Sequence, residues 1–150
     1  MIRKRTRARE CALQILYQFE INPGPLPALL AEFWAAEEQG DATPEVCEFA
    51  NLIVSGTAEH RDEIDQVVDR YADNWSISRM AVIDRNILRF ATYELLFMGD
   101  IPPKVTINEA VNLAKKFSQE ESGKFVNGVL DKINRTETPR VPKSDAAQGS

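Results

Sequence analysis

The sequence predicts an all-α fold of about seven helices, on two observations. Apolar residues recur at helical spacing nearly everywhere, and no segment alternates with period two for long. Clusters of Pro, Gly, Asn and Ser cut that periodic pattern into helix-length pieces.

The first helix spans about 4 to 20 and buries Ala8, Cys11, Ala12, Ile15, Leu16 and Phe19, until Asn22-Pro23-Gly24-Pro25 breaks it. The second spans about 25 to 38 with Leu26, Leu29, Leu30, Phe33 and Trp34, and Gly40-Asp41 ends it. Thr43-Pro44-Glu45 opens the third with a cap, a proline at the first helical position and an early acid. Its apolar stripe is Val46, Phe49, Ala50, Ile53 and Val54, and Ser55-Gly56-Thr57 predicts a kink or break before the fourth helix. The fourth turns Ile64, Val67, Val68 and Tyr71 inward and Glu59, Asp62, Glu63, Asp65, Asp69 and Asp73 outward, a solvated face or a docking surface for a basic protein.

After a turn at Asn74-Trp75-Ser76, the fifth helix spans about 80 to 98 and buries Ile83, Ile87, Leu88, Ala91, Leu95 and Met98. Pro102-Pro103 stops it, since neither proline donates to a helical ladder. Thr106-Ile107-Asn108-Glu109 reads as a capping box opening the sixth helix, which buries Ile107, Ala110, Val111, Ala114 and Phe117. Ser122 is the expected cap of the seventh, with Phe125, Val126, Val129, Leu130 and Ile133. Gly128 inside that helix costs about 1 kcal/mol relative to Ala and suggests close approach of a neighbour. These elements suggest one domain over 1–134, with sub-bundles of about 1–74 and 75–134. Residues 135–150 have almost nothing to bury and are expected to be a flexible polar tail.

The 150 residues and 43% hydrophobic content suit one domain or two closely packed halves. Cys11 and Cys47 lack a CxxC partner, which argues against a disulfide framework or zinc knuckle and for a reducing cytoplasm. No stretch approaches the roughly 20 apolar residues that span a bilayer, so neither membrane insertion nor export is expected.

Charge is uneven. Arg3, Lys4, Arg5, Arg7 and Arg9 stand against Glu10 alone in the first ten residues, a net +4 in a chain of net −5. Residues 11–74 hold two cations against thirteen acids, residues 75–135 nine against seven, and the tail balances. A short cationic patch fixed to a packed helix is the footprint of a polyanion site, because each neutralised phosphate releases counterions. A solubilising, unstructured end is the alternative. Cations there oppose the macrodipole, a liability that a bound phosphate turns into an anion site.

Catalysis finds little support. His60, the one histidine, lies among charged residues and is expected to be solvated. No nucleophile motif, Walker loop, GxGxxG or HExxH occurs, and the acids of the fourth helix run along one face, so no cofactor or metal is expected. Lys124-Phe125 is a second constellation: Phe125 either packs in the core or stacks a base while the ammonium holds a phosphate. Tyr17 and Asp84 flank their apolar stripes and could bond a neighbouring helix or a second protein.

Four ordered blocks, Arg7 to Tyr17, Ile83 to Arg89 with Tyr93-Glu94-Leu95, Ile107 to Val111, and Phe125 to Asp131, resemble the family of bacterial transcription antitermination factors called NusB, from about residue 5 to 133. The resemblance implies two antiparallel three- or four-helix bundles packed together. It also implies non-enzymatic binding of a single-stranded boxA-type RNA jointly with a small-subunit ribosomal protein, NusE, in elongation complexes on ribosomal RNA operons. Carried over by residue, it puts RNA contacts at Arg5, Arg7 and Arg9 and at Glu121, Lys124 and Phe125, and the ribosomal-protein contact at Tyr17 and Asp84. Thr6 interrupts the basic run, and Glu121 stands where aspartate is usual, which bears on affinity. The same helical domain precedes certain ribosomal RNA cytosine methyltransferases, for whose methyl-donor domain 150 residues leave no room. The rival reading is a protein-binding or self-associating helical module without RNA affinity, and a homodimer is possible under either.

Overall fold

The computed structural model describes residues 4–36, 42–73 and 76–148, all helix, turn or irregular chain. The chain divides into two compact units, Met1–Glu59 and His60–Ser150.

The first unit holds α1 (Lys4–Ile21), α2 (Leu26–Ala36) and α3 (Pro44–Glu59). Its core is the stripe Ala8, Cys11, Ala12, Ile15 and Leu16 of α1, together with Val46, Phe49, Ala50, Ile53 and Val54 of α3. The expected cap is present, with the Val46 amide donating to Thr43 Oγ1 at 3.3 Å. The expected kink or break at Ser55-Gly56-Thr57 does not interrupt the helix: Gly56 and Thr57 are buried, α3 runs to Glu59, and the break before the next helix falls at His60. α2 buries none of its residues completely and is tied to α3 by Trp34 Nε1 donating to Asn51 Oδ1 at 2.8 Å. The expected end of the second helix at Gly40-Asp41 lies outside the described residues, as does most of the turn at 74–76.

The second unit is built around α5 (Val82–Phe97), against which α4 (Arg61–Tyr71), α6 (Pro103–Phe117) and α7 (Glu120–Thr136) pack. Because α5 has neighbours on several sides, it is buried almost all round from Asn86 to Leu96. Ile87, Leu88, Phe90, Leu95 and Leu96 are each at most 2% exposed, and each such side chain contributes about 1.5–3 kcal/mol of burial. Two polar side chains on this helix have partners on its neighbours: Arg89 grips both oxygens of Asp65 on α4, at 2.8 and 3.2 Å. The Thr106 hydroxyl of α6 donates to Glu94 Oε1 at 2.7 Å. Since α4 packs on α5 and α7, it belongs with them, and the boundary falls at 59/60 instead of near 74.

Several expected boundaries shift. Pro103 occupies the first turn of α6, where a missing N–H costs nothing, so that helix starts a turn earlier than the Thr106 capping box and Thr106 is spent on Glu94. α7 likewise starts at Glu120, and Ser122 is not its cap. Gly128 is exposed with nothing within 4 Å of where a Cβ would lie, so no helix approaches it.

The tail is the largest departure. The Arg140 and Val141 amides donate to Leu96 O, and the Ser144 amide to Gly99 O. Lys143 Nζ donates to the carbonyls of Glu94, Met98 and Ile101 at 3.0, 2.8 and 2.7 Å, serving acceptors at and just beyond the end of α5. Burial pushes that amine below its ordinary range, against the pull of Glu94 and Asp100. A short helix α8 (Asp145–Gln148) follows and buries Ala147. Glu137, where α7 ends, gathers Arg70, the Tyr71 hydroxyl and Arg140. The Tyr71 bond leads in holding its carboxyl below the usual range, with Arg140 and Arg70 adding to it.

Candidate nucleic-acid interface

The basic end of α1 is folded structure from Lys4 onward, and Arg3 lies outside the described residues. Lys4 Nζ meets Glu45 Oε1 of α3 at 2.9 Å, which draws the Glu45 carboxyl below its ordinary value. Arg5 is exposed, with its guanidinium carbon 4.3 Å from the centroid of the Phe49 ring. One turn on, Arg9 lies 5.2 Å from the same centroid and is only 2% exposed. Arg7 has a side chain 13% exposed, 3.4 Å from Glu10. The four described cations therefore separate: Lys4 and Arg5 face outward, whereas Arg7 and Arg9 are drawn into the first unit. Arg9, expected on the RNA face, offers no open guanidinium in this arrangement and instead buttresses Phe49.

On the second unit, the first turns of α7 present Glu121 and Lys124 exposed and Phe125 half-buried. Phe125 stands on an open pocket of about 280 Å³ whose lining includes Arg79, Asp84, Gln119, Glu121 and Ser122. It is thus neither a sealed core residue nor a bare surface ring. Asp84, in the first turn of α5, accepts from the Ser122 hydroxyl at 3.0 Å through Oδ2, and Ser122 lies 3.0 Å from Ser118. Asp84 Oδ1 is buried with no hydrogen-bond partner among the described residues. Asp84 accordingly ties the start of α5 to the start of α7. Tyr17 on α1 is 45% exposed.

The remaining expectations resolve locally. His60 is not simply solvated: its ring stacks on Phe97 at 4.1 Å with an interplanar angle of 17°. The acidic face of α4 is largely engaged within its own unit, Asp65 by Arg89 and Arg61, Glu63 by Arg140, and Asp73 by Lys132. Asp69 accepts from the Ile77 amide at 2.6 Å. These bonds favour the structural reading over a docking face for a basic protein. Among the described residues no group of three or more His, Cys, Asp or Glu is arranged to hold a metal ion, and no helix is long and apolar enough to cross a membrane. The residues that sequence reasoning missed are Phe49 and Glu45. Arg5 and Arg9, four apart on one helix face, were the available signal that both meet one neighbour.

The NusB family profile matches residues 6–135. The transcription antitermination protein NusB of Thermodesulfovibrio yellowstonii is 46% identical over 144 residues, covering 89% of this chain and 93% of that protein. The protein of the same name from Myxococcus xanthus is 48% identical over 130 residues, covering 86% and 93%. Among solved structures, T. maritima NusB superposes with a TM-score of 0.81 at 40% identity, over 93% of this chain and 96% of that one. A structure of the antitermination factors NusB and NusE in complex with dsRNA matches with a TM-score of 0.80 at 31% identity, over 90% and 98%.

Proposed function

The chain belongs to the NusB family, and from that premise we propose that it is a cytoplasmic, non-enzymatic RNA-binding adaptor for transcription antitermination. It binds a boxA-type RNA together with the ribosomal protein NusE and joins elongation complexes on ribosomal RNA operons. The observation that carries the reading is that the basic end of α1 is folded helix whose outward side chains meet α3, Lys4 at Glu45 and Arg5 at Phe49. Cations carried on a folded helix are already placed for a phosphate, although Lys4 must release Glu45 to meet one.

The mechanism is positioning. Lys4 and Arg5, with Arg3 beside them in sequence, neutralise phosphates on the first unit, and Lys124 does so on the second. Phe125 supplies an aromatic face for an unstacked base, with Glu121 at the same pocket. Arg7 and Arg9 act mainly by holding α1 to its neighbours. Tyr17 offers its exposed ring and hydroxyl to NusE, and Asp84 fixes the α7 segment through Ser122. With NusE bound to the same RNA, the second contact becomes intramolecular, so the pair binds more tightly than either alone.

Titration of a labelled boxA-type RNA by fluorescence anisotropy, with and without NusE, tests this. Binding that weakens steeply from about 50 to 200 mM salt and tightens with NusE is expected. Phe125→Ala should weaken binding by about 1–3 kcal/mol if the ring stacks a base. Single- and double-stranded forms of the same sequence should be compared, and the single strand is expected to bind more tightly. The rival reading, a protein-binding or self-associating module, draws support from α2, whose Leu26, Leu29, Leu30, Phe33 and Trp34 are only half-buried. RNA affinity absent at low salt in the presence of NusE would establish that reading instead.

A further inference from the structure

We infer that Arg5, seated on the Phe49 ring, is a stacking platform for one unstacked base of the bound RNA, with Phe49 as its positioning residue. This rests on the RNA-binding reading above and names what one part of that site recognises.

The Arg5 guanidinium carbon, 4.3 Å from the Phe49 centroid, is well within cation–π reach of the ring. Phe49 is 7% exposed, so the core of the first unit fixes the ring, and Arg9 braces it from 5.2 Å. A guanidinium is planar and weakly hydrated, and one that rests on a ring can carry a second flat group on its other side. Arg5 is exposed, which leaves solvent where that group would lie. Beside it is a surface depression of about 430 Å³, ample for a base, lined by Lys4, Arg5, Glu45, Glu48, Phe49 and Leu52.

The chemistry of this lining separates a base from a phosphate. Leu52 is 51% exposed and supplies an apolar wall. Glu45 and Glu48 are carboxylates that repel a phosphate but accept hydrogen bonds from base N–H groups. Glu45 already shares Lys4, so the depression holds less positive charge than the sequence suggests. A flat, neutral group bearing N–H donors fits there better than a phosphate, while the charges of Lys4 and Arg5 at its rim still meet the neighbouring RNA backbone.

The test uses the full chain and a fluorescein-labelled boxA-type RNA in a series carrying one abasic position each. Arg5→Lys keeps the charge and removes the plane. It should bind the intact RNA about tenfold more weakly, a typical worth for one base–aromatic stack, with the salt dependence unchanged. In the series, one abasic position should cost the wild type about tenfold and cost Arg5→Lys less than about twofold, because the partner of the missing base is already gone. Phe49→Leu, first checked for folding by circular dichroism, should reproduce that loss at the same position. If it does not fold, the Arg5→Lys arm decides alone.

Arg5→Lys binding within about twofold of wild type, or an abasic series in which no position is coupled to Arg5, would reduce Arg5 to a phosphate contact and overturn the inference while leaving RNA binding intact. Wild-type protein that fails to bind the intact RNA with NusE present sinks the underlying function as well.

Discussion

Replacing Lys143 by methionine probes the least expected part of the structure. The ammonium serves three carbonyls at the end of α5, those of Glu94, Met98 and Ile101. Glu94 O keeps the Met98 amide as a partner, so the Met98 and Ile101 carbonyls bear most of the loss. Hydrogen bonds from a charged donor are worth about 1.5–3 kcal/mol each, and removing a half-buried charge returns part of that as relieved desolvation. The net expectation is a loss of about 2 kcal/mol, which for a unit of this size lowers Tm by about 10 °C. Gly99→Ala attacks the same contact from the other side, since a Cβ there would lie 2.6 Å from Pro142 O. Because both variants lift one strap, the double variant should be little worse than the worse single one. Calorimetry gives the Tm values, and amide hydrogen exchange reports on residues 140–148. A Tm drop under about 2 °C for Lys143→Met, or fast exchange of those amides in the wild type, would refute the docked tail.

Gly128→Ala should stabilise the protein by about 0.5–1 kcal/mol in a denaturant melt, because the helix gains propensity and a Cβ there meets nothing within 4 Å. Asp65→Asn should cost about 3 kcal/mol by leaving the 5% exposed Arg89 without its carboxylate, and Asp62→Asn, on the exposed side of the same helix, should change stability by less than about 0.5 kcal/mol. The Glu137 carboxyl is held below its ordinary value of 4.5 chiefly by the Tyr71 hydroxyl. Its contribution to stability is therefore complete above that value and lost as pH falls through the lower folded one. The Tm gap between wild type and Glu137→Gln should narrow on acid titration below pH 4.5 and stay level above it.

The helices were legible because each carries an apolar stripe at helical period, and a stripe is a local property of sequence. What the stripes could not convey was the partner of each polar group. Thr106 and Glu109 satisfy the capping-box pattern, yet Pro103 is a better first-turn residue, so the helix begins earlier and the threonine turns to the buried Glu94 on the preceding helix. The tail illustrates the same limit from the other side. With little apolar surface, residues 135–150 read as mobile, but the attachment of residues 140–144 runs through backbone amides and one ammonium meeting backbone carbonyls, and such bonds leave almost no mark in residue type. Within the candidate site, the charge of the N-terminal segment was plain from the sequence. Its pairing was not, since Glu45 and Phe49 lie some forty residues away.

That pairing alters the expected salt dependence of RNA binding. Were Arg3, Lys4, Arg5, Arg7, Arg9 and Lys124 all open to phosphates, six contacts to a single strand would give a slope of about −4 in log K against log salt, an affinity loss of about 300-fold between 50 and 200 mM. With Arg9 2% exposed and the Arg7 side chain 13% exposed, those two are withdrawn. Four contacts remain, for a slope of about −2.8 and a loss of about 50-fold over the same range. Lys4 must also exchange Glu45 for a phosphate, which lowers affinity further without steepening the slope. Lys4→Ala with Arg5→Ala should therefore flatten the slope by about 1.4. Arg9→Ala should instead lower Tm and leave the slope of the folded protein unchanged. A measured slope near −4 that Arg9→Ala flattens would mean that Arg9 leaves Phe49 to meet the RNA, and the division between contacting and buttressing arginines would have to be abandoned.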